Sequence, residues 1–228
     1  MIISHKYKFI FIKTVKTAGT SIEVFLSQQC SDHDIVTPII PHVDPHIARN
    51  YRGLWNPVPD IMAGEGRGVR RDLRDLVRLR KYYNHIPARV LKNRVSSKVW
   101  NEYYKFCVER NPWDKTLSHY HMMNDIADTK ISLDQYLAKG DFCLNLPKYT
   151  DSNDTLMVDR VVKYEKLDEE LGEVFELLKV PYSGSLDVKA KSEHRTDKKS
   201  YKDVLNESQR KIVADIFKKE MNMHGYAY

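Results

Sequence analysis

The feature that most constrains this chain is a short apolar run rich in Phe and Ile, Tyr7 to Lys13, followed by Lys16-Thr17-Ala18-Gly19-Thr20-Ser21 and then by a stretch patterned for a helix, Ser21 to Gln29. Phe and Ile packed together before a Thr/Lys/Gly segment read as a buried strand leading into a loop. Where such a loop opens a helix, oxyanions bind: unpaired N–H groups and the helix dipole attract them, glycine lets the backbone approach, lysine adds charge, and hydroxyls add donors. A plain capped helix start is the alternative reading. The pattern is not the nucleoside triphosphatase loop G-x-x-x-x-G-K-[ST], because Lys16 precedes Gly19 instead of following a second glycine.

The same strand-then-helix unit recurs. Tyr103 to Glu109 reads as a strand, and Arg110, Asn111 and Pro112 then open a helix that runs to about Asn124, proline being suited to a first helical turn. A third unit is R-V-V-K-Y at 160–164 followed by a helix from Leu167 to Lys179, with Leu171, Val174, Phe175 and Leu178 at helical spacing and Pro181 as its stop. A last helix is expected from Asn206 to Asn222, with Ile212, Val213, Ile216, Phe217 and Met221 on one stripe and Gly225 beyond it. Strands alternating with helices predict an α/β fold with a mainly parallel central sheet flanked by helices. A length of 228 residues with 42% hydrophobic residues fits a single domain over 1–228.

Between the first two units lies an insertion at about 37–98 that is expected to carry acceptor specificity. It contains a Pro/His segment at 37–59, a Gly-rich turn at 63–68 and an Arg/Lys-dense stretch at 67–98. Val69, Leu73, Leu76, Val77 and Leu79 mark the apolar face of a helix there, a solvated amphipathic helix being the bland reading. Lys and Arg number 37 against 31 Asp and Glu, a net charge of +6 that favours anionic partners without choosing among them. Cys30, Cys107 and Cys143 have neither disulfide-framework nor zinc spacing. The apolar run at the N-terminus, broken by Lys8 and Lys13, is too short for a signal segment or a membrane span, so a soluble, cytoplasmic protein without a membrane partner is expected.

The second candidate motif is Arg110-Asn111-Pro112-Trp113-Asp114-Lys115-Thr116-Leu117-Ser118. An arginine fork can grip a phosphate with two hydrogen bonds and a serine hydroxyl can add a third, whereas an Arg110 salt bridge beside an ordinary helical serine is the alternative. Together the two motifs, about ninety residues apart, closely resemble the elements that bind 3'-phosphoadenosine 5'-phosphosulfate (PAPS) in the sulfotransferase superfamily. The likeness continues through V-K-Y-E-K-L at 162–167 and the terminal F-K-K-E-M-N-M-H-G-Y. It is closest to carbohydrate sulfotransferases of the chondroitin and heparan type, with their V-R-N-P-[FWY]-x-R-x-x-S pattern. The chain departs from that pattern at Glu109, directly before the arginine, and at Lys115, where arginine is usual.

The resemblance implies a P-loop-like sulfotransferase fold. Lys16, Thr17, Ala18, Gly19, Thr20 and Ser21 would hold the 5'-phosphosulfate, with Lys16 also acting in catalysis, and Arg110 and Ser118 would hold the 3'-phosphate. His85-Ile86-Pro87-Ala88-Arg89-Val90-Leu91-Lys92 resembles the H-x-x-A-x-x-[LI] segment of that branch, which makes His85 the candidate general base. A neutral imidazole near its reference pKa of about 6.5 can take a proton from a sugar hydroxyl. Glu65 is a second candidate, and His42, His46, His119 and His121 read equally as core or surface residues. Pro45 argues against a metal pair at His42 and His46. In the basic stretch K-A-K-S-E-H-R-T-D-K-K at 189–199, where relatives close over the nucleotide, Ser192 and Arg195 are the candidates, unranked against Lys191 and Lys198. A solvated charge run would look the same.

The implied reaction is in-line sulfuryl transfer from PAPS to a hydroxyl of a carbohydrate or other small acceptor, leaving adenosine 3',5'-bisphosphate, with no metal. Two alternatives stand beside it: a nucleotide or small-molecule kinase that uses magnesium, and a non-catalytic anion-binding module. In the latter the basic face at 67–98 would grip a glycan or nucleic acid, although no nucleic-acid partner is expected.

Overall fold

A computed structural model describes residues 1–62, 68–127, 129–186 and 199–228. Its strands are β1 (Ile2–Ser4), β2 (Phe9–Phe11), β3 (Ile35–Val36), β4 (Tyr104–Glu109) and β5 (Arg160–Lys163), which form one open sheet in the order β3-β1-β2-β4-β5. The helices of the first half are α1 (Gly19–Gln29), α2 (Val58–Met62), α3 (Val69–Val77), α4 (Ala88–Arg94) and α5 (Ser97–Glu102). Those of the second half are α6 (Pro112–Ile126), α7 (Leu133–Lys139), α8 (Leu146–Tyr149), α9 (Leu167–Leu178), α10 (Tyr201–Val204), α11 (Glu207–Ile216) and α12 (Lys218–His224).

The sheet is mixed, which corrects the expectation of a mainly parallel one. β2, β4 and β5 run parallel, with Phe9 opposite Tyr104 and Cys107 opposite Val161. β1 is antiparallel to both β2 and β3. Four residues join β1 to β2, far fewer than a parallel crossover needs. The turn is held by Asp34, whose carboxylate accepts from the His5 N–H at 2.7 Å and from the Ser4 hydroxyl at 2.8 Å, while Lys8 takes φ 53°.

Alternation along the strands sends side chains to two cores. Ile2, Phe9, Phe11, Phe106, Val108 and Val162 pack against α1 and α9, where Phe25 and Phe175 stack at 5.4 Å. Ile3, Ile10, Ile12 and Cys107 pack on the other face against Ile86, Val90, Leu91, Trp100 and Tyr149. Strands covered on both faces read as continuous apolar runs, which is why β2 and β4 stand out in the sequence. The C-terminal ends of β2 and β4 therefore meet the starts of α1 and α6 at one edge of the layers.

Two helices depart from expectation. The final helix is broken into α11 and α12 at Phe217 (φ −99°, ψ 19°), whose fully buried ring lies 4.7 Å from Lys115 Nζ. On α11, Val213 is buried, but Ile212 and Ile216 are exposed. α3 is turned inside out relative to its pattern: Val69, Leu73 and Val77 face solvent while Asp72 and Asp75 are buried. Among the described residues no helix is long and apolar enough to cross a membrane.

Candidate functional site

The loop between β2 and α1 is built on a lysine that does not face solvent. The stem of Lys13 runs under Gly19, where a Cβ would sit 2.8 Å from Lys13 Cγ, so only glycine fits. Lys13 Nζ forms a buried ion pair with Glu23 on α1, which ties the floor of the loop to the helix. Lys16 (φ 62°) and Ala18 (φ 57°) take the left-handed conformation, and α1 begins at Gly19 with no side-chain cap from Ala18. The first N–H groups of a helix have no intrahelical partner, and no side chain of Ala18 caps them here. Thr17 turns inward instead: its hydroxyl lies 2.7 Å from that of Thr14, which donates to the Val108 carbonyl.

The structure brings the second motif against the first. Arg110, at the end of β4, donates from Nη1 to the Lys16 carbonyl at 3.1 Å, across 94 positions of sequence. Its guanidinium lies 4.2 Å over the Tyr164 ring and pairs with Asp114, Nε at 2.8 Å and Nη2 at 2.6 Å. Asp114 and the half-buried Ser118 are four apart on α6 and so share a face of that helix. Asn111 caps α6 by accepting from Trp113 N and Asp114 N, and its own N–H donates to Glu165 at 2.6 Å. Tyr164 and Glu165 of the V-K-Y-E-K-L segment thus both support the second motif.

Beneath both motifs lies a buried polar network that sequence reasoning missed. Glu109 and Lys115, the two departures from the carbohydrate sulfotransferase pattern, pair with each other at 2.8 Å, both side chains fully buried. Glu109 also accepts from the Arg110 N–H at 2.9 Å, from Asn145 at 3.3 Å and from the Tyr149 hydroxyl at 3.0 Å. Asn145 clasps the residue before Lys16 on both sides, accepting from Val15 N at 2.9 Å and donating to Val15 O at 3.0 Å. Tyr149 continues the chain to His224 Nε2 at 2.9 Å, which draws the C-terminal segment into the site. The one sequence signal for Asn145 is an amide set in the apolar run Cys143-Leu144-Asn145-Leu146.

His85 lies at the same edge. Its Nδ1 is 3.1 Å from the Lys13 carbonyl, and since a carbonyl only accepts, Nδ1 carries the proton and Nε2 keeps its lone pair. Burial, then Lys13, pushes the imidazole down to about 3, so it is neutral at physiological pH. A second imidazole, His119, is bonded to the Tyr136 hydroxyl at 2.8 Å and is held below its ordinary value by burial and by Lys16. Burial also lowers Lys148, which lies within the electrostatic reach of His85. His46 is a core residue that bonds the Thr37 carbonyl at 2.9 Å, and the exposed His42 pairs with Asp44 at 3.0 Å. Glu65, Lys191, Ser192, Arg195 and Lys198 lie outside the described residues.

No protein-family model matches the chain. It is similar to an uncharacterized protein of Archaeoglobus fulgidus, 33% identical over 101 residues, which take in 42% of this chain and 84% of that protein. The chain belongs to the family of that archaeal protein.

Proposed function

We propose that this chain is a sulfotransferase that moves a sulfuryl group from PAPS to a hydroxyl of a carbohydrate acceptor, on a P-loop-like sulfotransferase fold. The observation that carries the reading is the bond from Arg110 to the Lys16 carbonyl, which joins an uncapped helix start to an arginine-and-serine grip. Such a pair of sites suits a ligand with anionic groups at two ends. The 5'-phosphosulfate would lie on the N–H groups of 18–21 beside Lys16, and the 3'-phosphate against Arg110 and Ser118. Asn145 acts as a positioning residue, since its amide fixes the backbone that carries Lys16.

In the reaction, His85 Nε2 takes the acceptor proton as the hydroxyl oxygen bonds to sulfur. The bond from sulfur to the phosphate oxygen breaks, and adenosine 3',5'-bisphosphate leaves with that electron pair. Lys16 stabilises the charge developing on the leaving oxygen, an electrostatic role for a preorganised donor. A bound anion beside Lys13 and Lys16 would also raise the basicity of His85, because negative charge favours the protonated imidazole.

Nucleotide binding tests this reading. Adenosine 3',5'-bisphosphate should raise the melting temperature, and ADP, lacking the 3'-phosphate, should do so far less. Arg110→Ala should erase most of that preference. Equal shifts from both nucleotides would refute the assignment of Arg110 and Ser118.

A further inference from the structure

α3 presents the reverse of what a helix on a folded domain presents. Asp72 (1% exposed) and Asp75 (3%) form its buried face, and Asp72 approaches Arg94 at 3.7 Å, the same guanidinium that binds the buried Asp60 at 2.8 Å. Arg94 also donates to the Lys81 carbonyl at 2.8 Å and stacks 4.5 Å over Trp55, so the helix is docked through charge onto a fixed point. Val69 (52%), Leu73 (48%) and Val77 (84%), at positions i, i+4 and i+8, consequently form an exposed aliphatic stripe. Arg70, Arg74 and Arg78, one position further on, run alongside it, all exposed and without a carboxylate partner among the described residues. The patch continues through Leu79 and Leu54, both exposed, where the Gly53 N–H donates to the Leu79 carbonyl at 2.7 Å.

We propose that the outer face of α3 docks on an anionic lipid bilayer, its aliphatic stripe entering the interface and its arginine row meeting lipid phosphates and carboxylates. A contiguous apolar patch rimmed by one sign of charge marks an interaction surface. The pairing of aliphatic stripe and arginine row is that of an interfacial helix. Charge complementarity selects the occupant. A second copy of this chain would bring arginine row against arginine row, and the acids on α3 that could relieve this are buried. A nucleic acid or sulfated glycan would use the arginines but give Val69, Leu73 and Val77 nothing to enter. The short N-terminal apolar run predicts no membrane partner, and no helix among the described residues is long and apolar enough to cross a membrane; surface docking through an inverted helix is a different mode. The inference does not depend on the sulfotransferase reading.

Flotation of the full chain with vesicles of phosphatidylcholine alone, or of phosphatidylcholine and phosphatidylserine at 3:1, tests it. Binding should appear on the anionic vesicles, at least about tenfold above the neutral ones at low salt, and fall sharply when salt shortens the screening length. Leu73→Asp/Val77→Asp and Arg74→Glu/Arg78→Glu should each reduce it to the neutral level without lowering the melting temperature, because all four side chains are exposed. Vesicle binding that either double variant retains would overturn the proposal, as would absence of binding to anionic vesicles. A dimer that Leu73→Asp/Val77→Asp dissolves would reassign the face to a second copy. Binding to a polyanion that only the arginine variant loses would reassign it to a glycan or nucleic acid.

Discussion

The starts of α1 and α6 follow parallel neighbouring strands and lie side by side, yet they are finished in opposite ways. α1 opens on Ala18 in the left-handed region with no side-chain cap, whereas α6 opens on Asn111, whose amide oxygen accepts from two of its first N–H groups. The first start carries no side-chain cap and the second carries one, so on the proposed reading an anion would meet backbone at α1 and the side chains of Arg110 and Ser118 at α6. The side chains in turn need a rigid base, supplied by the buried Glu109–Lys115 pair and its bonds to Arg110 N, Asn145 and Tyr149. Arg110 is already engaged by Asp114, and a ligand phosphate would have to share or displace that carboxylate.

The largest expected effect strikes the base of the second site. Lys115→Met leaves Glu109 charged and buried without its partner, which costs about 3–5 kcal/mol of stability, and adding Glu109→Gln should return part of the loss. Denaturant melts of the single and the double variant measure this; a Lys115→Met variant as stable as wild type would mean that the pair does not hold the motif in place. A smaller effect separates the two helix starts. Asn111→Ala removes a working cap and should cost about 1 kcal/mol. Ala18→Asp, by contrast, sets a carboxylate at the start of α1, in a left-handed conformation that aspartate tolerates. It should leave stability near wild type and abolish binding of adenosine 3',5'-bisphosphate, since a carboxylate then occupies the N–H groups. Retained nucleotide binding in Ala18→Asp would break the contrast between an open and a closed start.

Much of this arrangement is legible in sequence where it is local. The Phe9-Ile10-Phe11 run, the glycine at 19 and the proline at 112 announce two strand-to-helix junctions because periodicity and turn chemistry act over a few residues. The partners that complete the site are not local. Nothing near Asn145 says that it will bond Val15, and nothing near Glu109 and Lys115, which read as two separate departures, says that they neutralise each other. The inversion of α3 is hidden for the same reason: Asp72 is buried because Arg94, across a loop, is buried with it. The short strand β1 and the antiparallel hairpin it makes depend on Asp34, some thirty residues away, so the mixed character of the sheet could not be read from alternation of strands and helices.

On the proposed reading, sulfuryl transfer occurs at the meeting of these two helix starts. Incubation of the protein with sulfur-labelled PAPS and a panel of glycans, phenols and small alcohols tests it most directly, with Lys16→Ala and His85→Ala run in parallel. Labelled product should form on a carbohydrate hydroxyl without added magnesium, fall by about 10² to 10³ in Lys16→Ala and by about 10² or more in His85→Ala, and His85→Ala should still bind adenosine 3',5'-bisphosphate as wild type does. No labelled product on any acceptor, or product formed equally well by both variants, would contradict the account.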